Sequence, residues 1–129
     1  MKIHTIPYVA LAAALLIASG CNSDTSSPTK LLNRYFSSAA KQDYATAYTC
    51  YYSPYKVKIS REEYIKHRKD ASLLQSYKIV NVQEKGNTAQ ADVQLTFAPS
   101  EKLKRKEPVT VSVKEDLVKE GGEWRVKVW

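Results

Sequence analysis

The sequence predicts an α+β domain, with three N-terminal helices packed on a four-stranded antiparallel sheet, and three observations carry that prediction. From Pro28 to Leu74 the apolar residues recur three and four apart, the spacing of one helical face. Beyond Tyr77 the period falls to two, with apolar and polar residues alternating in several runs. Glycines stand between those runs at Gly86 and Gly121-Gly122, where tight hairpins need positive backbone angles. Polar alternate positions imply that helices cover one sheet face only.

The chain opens with Lys2 and an uncharged run from Ile6 to Gly20, interrupted early by Pro7. Its apolar part, Ile6 to Ala18, is shorter than the ~20 residues that cross a bilayer, so it reads as a targeting segment over residues 1–20. The run closes in Ile17-Ala18-Ser19-Gly20-Cys21, small residues directly before a cysteine. This string resembles the lipobox of bacterial lipoproteins, with Ala18 where that family usually has leucine. The resemblance implies that the Cys21 thiol carries a diacylglycerol and becomes the mature N-terminus, lipid-anchored on the non-cytoplasmic side of the cell envelope. In an organism with two membranes, Asn22 after the cysteine resembles the pattern that sends lipoproteins to the outer one, here its periplasmic face.

Residues 21–28 read as the lipidated cysteine and a flexible tether, because Asn22 to Ser27 are small and polar with Asp24 the only charge. Residues 29–129 then form a single domain, since the 109 residues left after cleavage support one modest core. The first helix is predicted from Ser27-Pro28, a cap followed by a proline suited to a first turn, with Leu32, Tyr35, Phe36, Ala39 and Ala40 on one face. The second starts from Asp43, carries Tyr44, Ala47, Tyr48 and Tyr51, and stops near Ser53-Pro54, because the residue before proline avoids helical geometry. The third is announced by Ser60-Arg61-Glu62-Glu63, spaced as a capping box, and runs toward Leu74.

Strands are predicted at Tyr77–Gln83, at Ala89–Phe97, from Val109 through Val113 toward Glu120, and at Trp124–Val128. The inward sets Ala89–Phe97 and Val109–Val113 contain no acid, and Asp92 falls on the polar face.

This order of elements resembles the nuclear-transport-factor-2-like superfamily, in particular small bacterial lipoproteins of unknown function with one such domain. The resemblance is carried by Gln42-Asp43-Tyr44-Ala45-Thr46-Ala47-Tyr48, by Ser60-Arg61-Glu62-Glu63-Tyr64 and by Leu117-Val118-Lys119-Glu120-Gly121-Gly122-Glu123-Trp124-Arg125-Val126. It implies a sheet wrapped round helices into a cone whose open end often holds a pocket. Some members isomerise or dehydrate a substrate there, while others bind a partner or dimerise, and fold alone does not choose.

The whole chain carries a formal charge of +7, and +6 remains once Lys2 is cleaved away, since every acidic residue lies beyond Cys21. Nucleic acid is not the expected partner of a domain anchored outside the cytoplasm. Lys102, Lys104, Arg105 and Lys106 form a basic stretch between two strands, flanked by Glu101 and Glu107, read as a solvated hairpin tip or as a contact for an anionic surface.

Cys50 has no second cysteine to pair with once Cys21 is lipidated, and reads as a small buried hydrophobe. His67 is the one histidine left after cleavage and has no partners for a closed zinc site, so neither a metal nor a cofactor is expected. The materials for a pocket are Tyr48, Tyr52, Tyr64 and His67.

The expectation is a non-catalytic binding or assembly module whose partners are the membrane, through the lipid, and an envelope protein or small ligand. The alternative is a small isomerase- or dehydratase-like enzyme using the Tyr/His pocket, and a homodimer through the polar sheet face is a third arrangement.

Overall fold

The computed structural model describes residues 25–129, so Cys21 and the targeting segment over 1–20 lie outside the described residues. Helix α1 spans Pro28–Ala40; Ser27 caps it by accepting from the Lys30 N–H at 3.2 Å, and Leu31, Leu32, Phe36 and Ala39 form its buried stripe. It ends where Gln42 enters the left-handed region (φ 63) and the Asp43 N–H returns to the Ser38 carbonyl at 2.8 Å.

Asp43 then caps α2, Tyr44–Thr49, accepting from the Thr46 N–H at 3.2 Å. Helix α3 covers Ser53–Lys58 and α4 Arg61–Lys69. The α4 capping box forms as its sequence predicts, with Ser60 and Glu63 bonding reciprocally at 3.1 and 3.0 Å.

Four helices stand where three are expected. Ser53-Pro54 marks a stop, but a proline that disfavours helix for the residue before it also suits the first turn of a new one. Helix α2 ends at Thr49, and Tyr52 in extended geometry becomes the N-cap of α3. Between the two helices the chain runs beside the last strand. The Val126 N–H donates to the Cys50 carbonyl at 2.8 Å and the Tyr52 N–H to the Val126 carbonyl at 2.9 Å.

The sheet is an open antiparallel meander of β1 (Leu74–Lys85), β2 (Thr88–Phe97), β3 (Val109–Glu120) and β4 (Glu123–Lys127), paired in chain order. Gly121 and Gly122 make the last turn at φ 57 and 84. Ala89, Ala91, Val93, Leu95, Leu117, Trp124 and Val126 face inward and are buried against the helices, while Gln90, Gln94, Ser112 and Lys114 on the opposite parity are exposed. The core is therefore a single layer between the helices and one sheet face, and Trp124, 1% exposed, is among its largest fully enclosed side chains.

Contacts with the sheet extend ahead of α1. Thr25 is buried, its carbonyl accepts from the Trp124 N–H at 2.9 Å, and its hydroxyl bonds to the Glu123 carboxylate and accepts from Arg125 at 3.1 Å.

Candidate functional site

The inward parity of β3 does not end at Val113. Glu115 is next in that series, directly opposite buried Ala91, so a carboxyl sits on the helix-covered face. Burial raises its pKa to about 7, and the neighbouring negative charge of Asp116 adds to the rise. The sequence signal was available: the alternation Val109, Val111, Val113 continues through Glu115 to buried Leu117, so the inward set contains an acid once it is read past Val113.

A cluster of phenols lies on the helical side. Tyr35 from α1 and Tyr51 from the segment beside β4 bring their hydroxyls within 2.5 Å, with rings edge-on at 5.3 Å. Tyr64 from α4 sets its ring 5.3 Å from Tyr51, and Tyr55 from α3 stacks on Tyr51 at 4.2 Å. Trp129 continues the stack, 5.6 Å from Tyr55, and the Lys58 ammonium lies 4.9 Å from its ring. Burial is the main force that pushes the Tyr35, Tyr51 and Tyr64 phenols up, so all three stay neutral.

Glu115 and Arg68 bring charge to the phenols themselves. Glu115 adds to the rise at Tyr35, while Arg68 opposes the rise at Tyr35, Tyr55 and Tyr64. The Arg68 Nε is enclosed and has no hydrogen-bond partner among the described residues. Chemically, the arrangement offers one carboxyl able to exchange a proton near neutral pH and neutral phenols able to donate to an oxygen.

The residues proposed from the sequence are distributed differently. Tyr48 donates to the Ile59 carbonyl at 2.6 Å and Tyr52 to the Trp129 carbonyl at 3.1 Å, so both hydroxyls are committed to backbone. Tyr48 and Tyr64 are brought together, rings 5.5 Å apart, and Tyr64 is buried, but His67 is exposed. Tyr52 turns to the C-terminus, away from that pair. Cys50 is buried, its thiol is raised chiefly by burial, and its Sγ lies 3.7 Å from the Thr46 carbonyl.

Of the basic stretch, Lys102, Lys104 and Lys106 are exposed, whereas Arg105 folds back to donate to the Ala98 carbonyl. Among the described residues no group of three or more His, Cys, Asp or Glu could hold a metal, and no helix is long and apolar enough to cross a membrane.

No family model and no curated protein matches the chain. Several solved structures do. A SEC-C motif containing protein from Rhodopseudomonas palustris superposes with a TM-score of 0.66 at 13% identity, covering 82% of this chain and 79% of that one. A Thiobacillus denitrificans protein named as a calcium/calmodulin-dependent protein kinase type II association domain gives 0.61 at 8% identity, over 81% and 93% of the two chains. A Campylobacter jejuni protein named as an NTF2-like transpeptidase gives 0.52 at 13% identity, over 80% and 100%. At such identities the likeness concerns the fold alone, and it supports a nuclear-transport-factor-2-like arrangement of helices on an open antiparallel sheet.

Proposed function

We propose that this chain is a bacterial lipoprotein, anchored through Cys21, whose domain serves as a non-catalytic binding or assembly module at the cell envelope. The observation that carries the reading is the fixing of Thr25 to β4, four residues after Cys21. At about 3.5 Å per residue the chain between them reaches roughly 14 Å, so a lipid on Cys21 would seat the domain against the bilayer. The absence of a catalytic role is supported by Tyr48 and Tyr52, whose hydroxyls hold backbone carbonyls, and by His67, which faces solvent beyond Tyr64.

The test compares the native protein with Cys21→Ser in membrane fractionation and in cross-linked capture from intact cells. Loss of both membrane association and a specific cross-linked partner in the variant agrees with the reading. Unchanged fractionation contradicts the anchor, and no partner or ligand in either sample contradicts the module.

One observation favours a second reading, an acid–base enzyme of the isomerase or dehydratase kind. Glu115, rather than His67, would be its proton carrier, within electrostatic reach of Tyr35. A ligand whose affinity changes between pH 6 and 8, roughly the window of a group titrating near neutrality, and loses that change in Glu115→Gln would favour it.

A further inference from the structure

The turn between β2 and β3 is closed by its own hydrogen bonds and presents an apolar tip. Ser100 and Arg105 exchange two backbone hydrogen bonds, the Ser100 N–H to the Arg105 carbonyl at 2.9 Å and the Arg105 N–H to the Ser100 carbonyl at 2.8 Å. Inside that clasp the Lys104 N–H returns to the Glu101 carbonyl at 3.0 Å, the Leu103 N–H to the Ser100 hydroxyl at 3.3 Å, and Lys104 takes φ 54. Arg105 locks the base through the Ala98 carbonyl. A loop this well closed holds its apex outward, and at that apex Leu103 is 60% exposed.

Leu103 stands between Lys102 and Lys104, both exposed. A second apolar residue stands at the same end: Leu73, 38% exposed, accepts through its carbonyl from the Ala98 N–H at 2.9 Å. Long lysine stems can lie along an apolar surface while their ammonium groups stay hydrated, which is the disposition of side chains at a membrane interface.

We propose that residues 99–106 form a membrane-contact spur, in which Leu103 enters the interfacial layer of an anionic bilayer and Lys102, Lys104 and Lys106 meet headgroup phosphates. Glu101 and Glu107 offset part of the lysine charge, so neither the apolar nor the ionic contact suffices alone. The proposal rests on the lipid-anchor reading for the membrane's proximity.

It also fixes an orientation. Thr25 lies at Trp124, which pairs with Lys119, next to the end of the β2–β3 hairpin where Thr88 faces Val118. The spur springs from the other end, where Phe97 faces Val109, about 30 Å away at ~3.3 Å per residue. Anchor and spur can touch one bilayer together only if the hairpin lies along the membrane.

The experiment uses the full-chain protein purified from membranes, with Leu103→Cys carrying a nitrobenzoxadiazole label; Cys50 is only 1% exposed and Cys21 is taken up by lipid in this reading. Flotation and label emission are measured with vesicles of phosphatidylcholine alone and with added phosphatidylglycerol. The expected result is flotation on both, with emission shifted to the blue on anionic vesicles only and the shift lost when Lys102, Lys104 and Lys106 are all changed to Glu. Flotation on both with unshifted emission, or with the same shift on neutral lipid, overturns the spur and leaves the anchor standing. Flotation on anionic vesicles alone, with the blue shift, upholds the spur and overturns the anchor; no flotation on either overturns both.

Discussion

Glu115 holds a proton more firmly in the folded chain than an ordinary glutamate does, because burial and Asp116 both disfavour its charge. The folded state therefore binds more protons than the unfolded state between pH 4.5 and about 7, and stability falls as pH rises through that window. Urea unfolding should show Glu115→Gln more stable than the native protein at pH 8, by on the order of 2 kcal/mol, with the difference vanishing near pH 4. An equal gain at both pH values would mean that the carboxyl is not titrating. Tyr35 and Tyr51 offer a second test, since removing one hydroxyl leaves the other without its 2.5 Å partner. Each single change to Phe should cost about 1–2 kcal/mol, and the double variant about 1 kcal/mol less than the sum. Glu115 was legible through strand parity; the tyrosine pair was not, because residues 35 and 51 meet only through helix packing that no local pattern encodes.

At the level of elements, caps and periods were the readable signals. Ser27, Asp43 and Ser60 all cap the helices that their spacing predicts. Ser60→Ala should lower stability by about 1 kcal/mol in thermal or urea unfolding, since it removes one half of the reciprocal pair with Glu63. Gln42 offers the opposite sign. It holds φ 63 after α1, where a side chain is strained, so Gln42→Gly should stabilise by roughly 0.5–1 kcal/mol despite the added freedom of the unfolded chain. A loss of stability there would show that the Gln42 side chain contributes something its backbone angle does not reveal. The extra helix at Ser53–Lys58 was hidden because proline reads equally as an end and a beginning. Tertiary pairing of Cys50–Tyr52 with Val126 decides between them, and that pairing spans seventy-four residues or more.

For the whole molecule, one sheet face carries the core and the other carries polar residues, so stability depends on a single layer closed by Trp124. Trp124→Ala should cost about 3–5 kcal/mol in urea or thermal unfolding, a large share of the ~5–15 kcal/mol typical of a domain of this size. The same layer explains why the architecture was legible in sequence, since alternation with a one-sided polar face admits few other α+β arrangements. The proposed function depends on where that domain is held. The proposal of a lipid anchor puts it against a bilayer, since Thr25 is clamped to β4 only four residues after Cys21. Intact-mass spectrometry of the protein extracted from its native membrane tests this most directly. The account predicts a chain that begins at Cys21 and carries the added mass of a diacylglycerol, whereas an unmodified Cys21 thiol or an uncleaved chain would contradict it.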